Sequence, residues 1–266
     1  MCNSKEGLIA AINAEKHVMI AAQDRPDLLK TGQYLRILTN LGILHTDAGN
    51  WDEALKWHHL AIETCINCGM QKESSLGNLT QNLAGTYLWK GELEKAEEVV
   101  RRALTEPNST PMAANFTLGT ILWKQGRIRE SLDLHKRVLT DYINLLGPTH
   151  PVTANSWRRV GCLFATSDYS GRDLSEAEQC YRQACSIWKN LAARGDQDAT
   201  IYHGNHARTI WSLAAVLEEQ GPQHQEEVQK LRDQTKDYVR AQFNGSLPEH
   251  QEVPELLYGM IFYWDR

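Results

Sequence analysis

The chain has 266 residues, of which 42% are hydrophobic and 23% charged, a composition usual for a soluble fold or an elongated repeat array. Its net charge of −5 and isoelectric point near 6.1 argue against a nucleic-acid-binding protein, since such proteins are usually basic. No segment reaches the roughly 18 consecutive apolar residues of a membrane span, and the start lacks a signal-peptide pattern. We therefore expect a cytoplasmic protein that binds neither nucleic acid nor membrane.

The first predicted element is a helix within residues 1–30, followed by a short linker. Its apolar residues recur at helical spacing, at Leu8, Ala11, Ile12, Val18, Met19 and Ala22. We expect an orphan helix, equivalent to the second half of a helix pair whose first half is missing.

The region 31–240 is internally repetitive. Each copy begins with a large residue, a small residue and a second large residue at fixed spacing, as in Leu41-Gly42-x2-His45 and Leu83-Ala84-x2-Tyr87. Four copies align over 38–62, 79–104, 115–139 and 157–185, and a weaker fifth begins at Leu213. Repeats of this length form helix pairs that bury their apolar faces by stacking on their neighbours.

Small residues and glycines mark the packing and the turns of each pair. We expect the small residue of the first helix to let the second helix approach closely; these are Gly42, Ala84, Gly119, Gly161 and Ala214. Glycines between the two helices are typical of a helix C-terminus, at Gly49, Gly91, Gly126 and Gly221. The fourth copy carries a lengthened turn, "TSDYSGRDLS", instead.

This spacing matches the tetratricopeptide pattern W-x2-L-G-x2-Y followed by A-x3-F. The best copy reads Trp157-x2-Val160-Gly161-x2-Phe164, and the stretch "LLGPTHPVTANSWRRVG" (145–161) resembles the repeats of kinesin light chains. The stretch "DRPDLLKTGQYLRILTNLG" (24–42) and the tail "ELLYGMIFYWDR" (255–266) resemble more closely the fungal proteins that carry such repeats. The resemblance implies an all-α, right-handed superhelical solenoid of about five helix-turn-helix repeats over 31–240.

The segment "GNWDEALKWHHLAIE" (49–63) raises the question of a metal site, because His58 and His59 stand beside several acids and near His45. In the repeat frame, however, His58 takes a position that Val100 and Tyr181 occupy in other copies, and a position that accepts all three is a core position. We expect no metal and no cofactor.

The first helices of stacked repeats line a concave groove, and this is the predicted binding surface. Asn40 and Asn82 recur just before the motif leucine, and the resemblance implies that such asparagines hold the backbone of an extended peptide. The groove also carries an aromatic centre and a positive flank that includes Lys124. The predicted ligand-binding residues are Asn40, Asn78, Asn82, Trp89, Phe116, Trp123, Asn155, Arg158, Arg159, Arg208 and Trp211. We expect a protein-interaction scaffold whose protein or peptide ligand has aromatic and acidic character.

An enzyme remains the alternative. The same groove would then hold a small apolar metabolite, and a cofactor-independent cyclase or isomerase of fungal secondary metabolism would act through shape and hydrogen bonds. The candidate catalytic residues for that alternative are Arg158, Arg208, Asp47 and Glu219.

Residues 241–266 form an aromatic tail. Pro248 and Pro254 break the preceding helix, and the stretch "ELLYGMIFYWDR" (255–266) is mostly apolar. An exposed apolar run of this length would favour aggregation, so we expect it to be buried. Three arrangements would bury it, and we rank them in order of preference. Capping of the last helix pair ranks first, filling of the groove ranks second, and binding to a partner ranks third.

Overall fold

The computed structural model describes residues 4–70, 76–105, 111–194, 199–243 and Val253. These residues form α-helices and two short 3-10 helices, Pro26–Lys30 and Pro222–His224, and contain no strand. The α-helices are α1 Ser4–Ala21, α2 Gly32–Asp47, α3 Trp51–Asn67, α4 Leu76–Lys90, α5 Leu93–Leu104, α6 Pro111–Lys124, α7 Ile128–Leu146, α8 Pro151–Ala165, α9 Leu174–Ala192, α10 Ala199–Gln220 and α11 Gln225–Gln242. The all-α class is confirmed.

The chain divides into two compact units. Unit 1 is Met1–Arg127 and holds α1 to α6, and unit 2 is Ile128–Arg266 and holds α7 to α11. Within each unit every helix packs chiefly on its neighbours in the sequence, as α2 on α3 and α8 on α9. This nearest-neighbour packing is typical of helical repeats.

The turns after α2, α4 and α6 share one geometry. Gly49, Gly91 and Gly126 have φ angles of 75°, 88° and 78°, in the left-handed region that favours glycine. The N–H of the following residue then donates to a carbonyl five residues earlier, from Asn50 to His45, Glu92 to Tyr87 and Arg127 to Leu122, each at 2.9 Å. This is the Schellman end of a helix, which satisfies carbonyls that the helix leaves without partners.

Close helix contact requires the small residues of the first helices. A Cβ placed on Gly42 would lie 2.4 Å from Cε1 of His58, and one on Gly161 would lie 3.1 Å from Cε1 of Tyr181. His58 and Tyr181 are 1% and 3% exposed. Each glycine therefore makes room for a large buried ring on the second helix, as the repeat pattern predicts.

Hydroxyl and amide contacts join successive repeats of unit 1. The hydroxyls of Thr46 on α2 and Thr86 on α4 lie 2.9 Å apart in the interior. Nε2 of Gln81 on α4 donates to Oγ1 of Thr117 on α6 at 3.3 Å. These contacts fix the first helices of neighbouring pairs side by side.

The lengthened turn of the fourth repeat, residues 166–173, joins α8 to α9. The Asp173 N–H donates to the Phe164 carbonyl at 3.0 Å, and its carboxylate caps α9 by accepting the N–H groups of Ser175 and Glu176. Arg172 donates to the Ala165 carbonyl at 3.1 Å. The inserted residues thus reach the start of α9 without disturbing either helix.

Val253 is buried at 9% exposure and packs with Ala207 of α10 and Val239 of α11. The remaining residues of 244–266 lie outside the described ranges, and so does the expectation about where the aromatic tail is buried. At the other end α1 packs on α2, where the hydroxyl of Tyr34 lies 3.8 Å from the sulfur of Met19.

Candidate functional site

The first helices of unit 1 lie next to one another, since α2 contacts α4 and α4 contacts α6. Six of the predicted ligand-binding residues lie on these three helices. They are Asn40, Asn78, Asn82, Trp89, Phe116 and Trp123. We call the surface that carries them the first-helix surface.

Two amide groups occupy the same repeat position on adjacent helices. Asn40 of α2 is exposed and Asn82 of α4 is half-buried. Among the described residues, neither side-chain amide makes a hydrogen bond, although the Asn82 backbone carbonyl accepts one from the Thr86 hydroxyl. An asparagine amide offers two donors and an acceptor, so each can pair with both polar groups of a peptide unit.

Aromatic rings flank these amides on α4 and α6. Trp89, Phe116 and Trp123 are half-buried, so part of each ring is open. The ammonium group of Lys124 lies 5.7 Å from the centroid of the Trp123 ring, and both Lys124 and Arg36 of α2 are exposed. The first-helix surface therefore combines polar, aromatic and positive character.

The predicted arginines of unit 2 are enclosed. Arg158 and Arg159 of α8 are each 4% exposed, and Arg208 of α10 is 1% exposed. Nη2 of Arg208 donates to Oδ1 of Asn205 at 2.7 Å, and Nη1 of Arg158 approaches Sγ of Cys162 at 3.7 Å. These guanidinium groups lie inside the unit, not along a solvent-facing flank.

The remaining predicted positions of unit 2 are half-buried. Asn155 lies on α8. Trp211 packs against α11, where the guanidinium of Arg232 stacks 3.8 Å from its ring centroid and donates to its carbonyl at 3.3 Å. The Trp211 ring therefore packs in the contact between α10 and α11.

The candidate catalytic acids differ in setting. Asp47 is half-buried at the end of α2 in unit 1. Glu219 of α10 forms an ion pair with Arg172 in the lengthened turn, which holds its charge in a structural contact. Arg158 and Arg208 are the enclosed guanidinium groups of unit 2.

A family model described as tetratricopeptide repeat matches residues 33–105 and 109–190, more than half of the chain. The chain belongs to the tetratricopeptide repeat family. This family supports a general role as a protein-interaction scaffold.

Solved structures share the tetratricopeptide fold of this chain at low identity. BtubC (BKLC) from P. vanneervenii matches at 18% identity with a TM-score of 0.67, over 95% of this chain and 96% of that chain. A Podosopora anserina putative kinesin light chain with nearly identical TPR-like repeats matches at 16% identity with a TM-score of 0.53, over 79% and 96%. No curated protein sequence matches at a significant level. These likenesses show the fold alone.

The histidines in the middle of α3, His58 and His59, follow the repeat pattern. His58 is buried and His59 is exposed, and burial, with a smaller effect of His59, lowers the pKa of His58 to about 4. No group of three or more His, Cys, Asp or Glu side chains in the described ranges is placed to hold a metal ion. None of the helices described is long and apolar enough to cross a membrane.

Unit 2 contains a cleft of about 680 Å³ that the sequence pattern did not predict. It lies between the second helices α9 and α11, over α10 as its floor. The one signal in the sequence was the pair His203 and His206, which both lie on α10. The repeat pattern assigns these residues no role.

Proposed function

We propose that the chain binds an extended peptide segment of a partner protein on the first-helix surface of unit 1. The tetratricopeptide fold supports an interaction role in general, and the features of this surface support the peptide class in particular. The proposal assigns recognition to α2, α4 and α6.

The observation that carries the proposal is the repeated amide. Asn40 and Asn82 recur 42 residues apart on helices that lie side by side, and their amides make no hydrogen bond with other described residues. A peptide backbone presents N–H and C=O groups at regular intervals, and buried backbone groups need partners. Two amides on adjacent helices supply such partners at two points along one strand.

The neighbouring side chains define the peptide's character. Partly open indole and phenyl rings on α4 and α6 suit an aromatic or apolar anchor, which commonly contributes most of the binding energy in such interfaces. The exposed cations Arg36 and Lys124 favour acidic side chains beside that anchor. The preferred ligand is therefore an extended segment with an apolar or aromatic residue near acids.

The test begins with a selection of random peptides displayed on phage against the immobilised full chain. An enriched peptide is then synthesised, and its affinity is measured by fluorescence anisotropy for the wild type and for the double variant Asn40→Ala/Asn82→Ala. Loss of two amides should cost about 2 kcal/mol or more, which is roughly a thirtyfold rise in Kd.

The matched control is Asn67→Ala, because Asn67 is exposed and ends the second helix α3. This variant should bind as the wild type does. The proposal is wrong if no peptide is enriched, or if the double variant binds as tightly as the Asn67 variant.

A further inference from the structure

The cleft between α9, α10 and α11 has an apolar floor. Ala207, Ile210 and Leu213 of α10 line it and are 3 to 5% exposed, and Leu231 of α11 adds to one wall. Its residues on α10 recur every three or four positions and so share one face of that helix. All of its lining residues belong to unit 2, whereas the first-helix surface lies on α2, α4 and α6 of unit 1, so the two sites share no residue.

The polar end of the cleft holds three basic side chains. Lys189 comes from α9, and His203 and His206 come one turn apart on α10. Burial, with smaller effects of the nearby His203 and Lys189, lowers the pKa of His206 to about 4. Near neutral pH, His206 is therefore a neutral imidazole beside the positive charge of Lys189.

The other polar groups of the cleft leave that charge without a counter-ion. Glu227 of α11 is held by Arg182 of α9 in two hydrogen bonds of 2.8 and 2.9 Å. Burial raises the pKa of the Cys185 thiol to about 12 and raises the pKa of Tyr238, so both stay neutral. In the described part of the chain Lys189 forms no ion pair.

We propose that this cleft binds a small amphiphilic carboxylate, with its apolar chain on the α10 floor and its carboxylate between Lys189 and His206. One uncompensated cation matches one anionic charge, and a neutral imidazole can donate to the same head group. A volume of about 680 Å³ lies within the range of roughly 300–1,000 Å³ that is typical of small-molecule sites. The proposal is independent of the peptide-binding surface.

The probe is decanoate, compared with decanol and decylammonium; the two ionic compounds are kept below their micelle concentrations and decanol below its solubility limit. Binding to the full chain is measured by isothermal titration calorimetry near neutral pH. Decanoate should bind more tightly than decanol, and decylammonium should bind least, because Lys189 repels its head group.

Two variants locate the site, and a third serves as control. Lys189→Met should weaken decanoate binding about tenfold or more while leaving decanol unchanged, since it removes a charge-assisted hydrogen bond. Ala193 lies on the exposed rim of the cleft, so Ala193→Trp should block the cleft and abolish the binding of decanoate and decanol. Lys230→Met, on the exposed side of α11, should leave both affinities unchanged.

A proton-NMR titration of the imidazoles gives an independent readout. Bound decanoate should raise the pKa of His206, because a nearby anion favours the protonated ring. Equal binding of decanoate and decanol, or decanoate binding that survives Ala193→Trp, would overturn the proposal. So would the absence of any decanoate binding to the wild type.

Discussion

Gly42 leaves the space that the imidazole of His58 fills. A methyl group on Gly42 would meet three ring atoms of His58 at 2.4 to 2.9 Å, well inside normal contact. The equivalent positions of the second repeat hold Ala84 and Val100, both fully buried. A larger residue on the first helix is thus matched by a smaller one on the second.

A double-mutant cycle tests this pairing. Gly42→Ala should destabilise the chain by about 1–3 kcal/mol, because the buried ring has no room to move. Gly42→Ala/His58→Val reproduces the residues of the second repeat and should be more stable than the two single changes predict by about 1 kcal/mol or more. Urea unfolding measures all three. Effects that add within about 0.5 kcal/mol would show that the two side chains do not compete for space.

For individual residues, the sequence predicts the burial of some side chains well and of others poorly. The burial of His58 follows from the repeat register, because the same position holds Val100 and Tyr181 in other copies. The enclosure of Arg208 does not follow, because burial of a guanidinium depends on which neighbouring side chains cover it. The spacing of apolar residues carries no information about that cover.

The carboxylate of Glu97 on α5 joins that helix to the turn after α6 in unit 1. Glu97 accepts hydrogen bonds from Arg101 on its own helix and from Gln125 and Arg127 in the turn after α6. Burial alone would raise its pKa, but the hydrogen bonds from Gln125, Arg101 and Arg127 outweigh that effect and lower the pKa to about 2. The charged form of Glu97 therefore stabilises the folded state.

Glu97→Gln should lower the free energy of unfolding near neutral pH by about 1 kcal/mol, a modest value because its arginine partners are partly exposed. Since folding depresses this pKa, the contribution is present above about pH 4.5 and is lost as the pH falls toward 2. Urea unfolding of the variant should accordingly converge with that of the wild type in acid. Glu98→Gln, an exposed neighbour, is the control and should behave as wild type; equal effects of the two changes would contradict this role for Glu97.

The helix ends and turns could be predicted from the sequence better than the contacts between helices could. Gly49 and Gly91 mark helix ends because only glycine adopts their left-handed conformation readily, and the fourth turn was visibly long. The cleft over α10 was not foreseeable. It requires α9 and α11 to stand apart above His206, and that spacing arises from tertiary packing rather than from any local pattern.

Across the whole molecule, the buried His58 and His135 and the half-buried His206 make stability depend on pH. Burial lowers the pKa of His58 and His206 to about 4 and that of His135 to about 3. In an unfolded chain these rings titrate near 6.5, so as the pH falls the unfolded state takes up protons first. Their contribution to stability is complete above about pH 6.5 and is lost as the pH falls toward 4 and below.

Lowering the pH from 6.5 to 5.5 should reduce the free energy of unfolding by roughly 3 kcal/mol, about 1 kcal/mol for each ring. Thermal melting across this interval measures the loss as a falling Tm. In His58→Val the loss should shrink by about one third. An unchanged slope in that variant would mean that His58 is not buried as a neutral ring.

Under the proposed function, the side-chain amides of Asn40 on α2 and Asn82 on α4 bind a peptide backbone. The most direct test is a series of N-methylated versions of one selected peptide, because each methyl group removes a single backbone donor and leaves the side chains intact. Methylation at one or two positions should raise the Kd of the wild-type chain about tenfold, the value expected for a lost hydrogen bond of about 1.4 kcal/mol. The same methylation should have little further effect on Asn40→Ala/Asn82→Ala. If every methylated peptide binds the wild type as well as the parent, or weakens binding equally in both proteins, Asn40 and Asn82 do not hold the backbone.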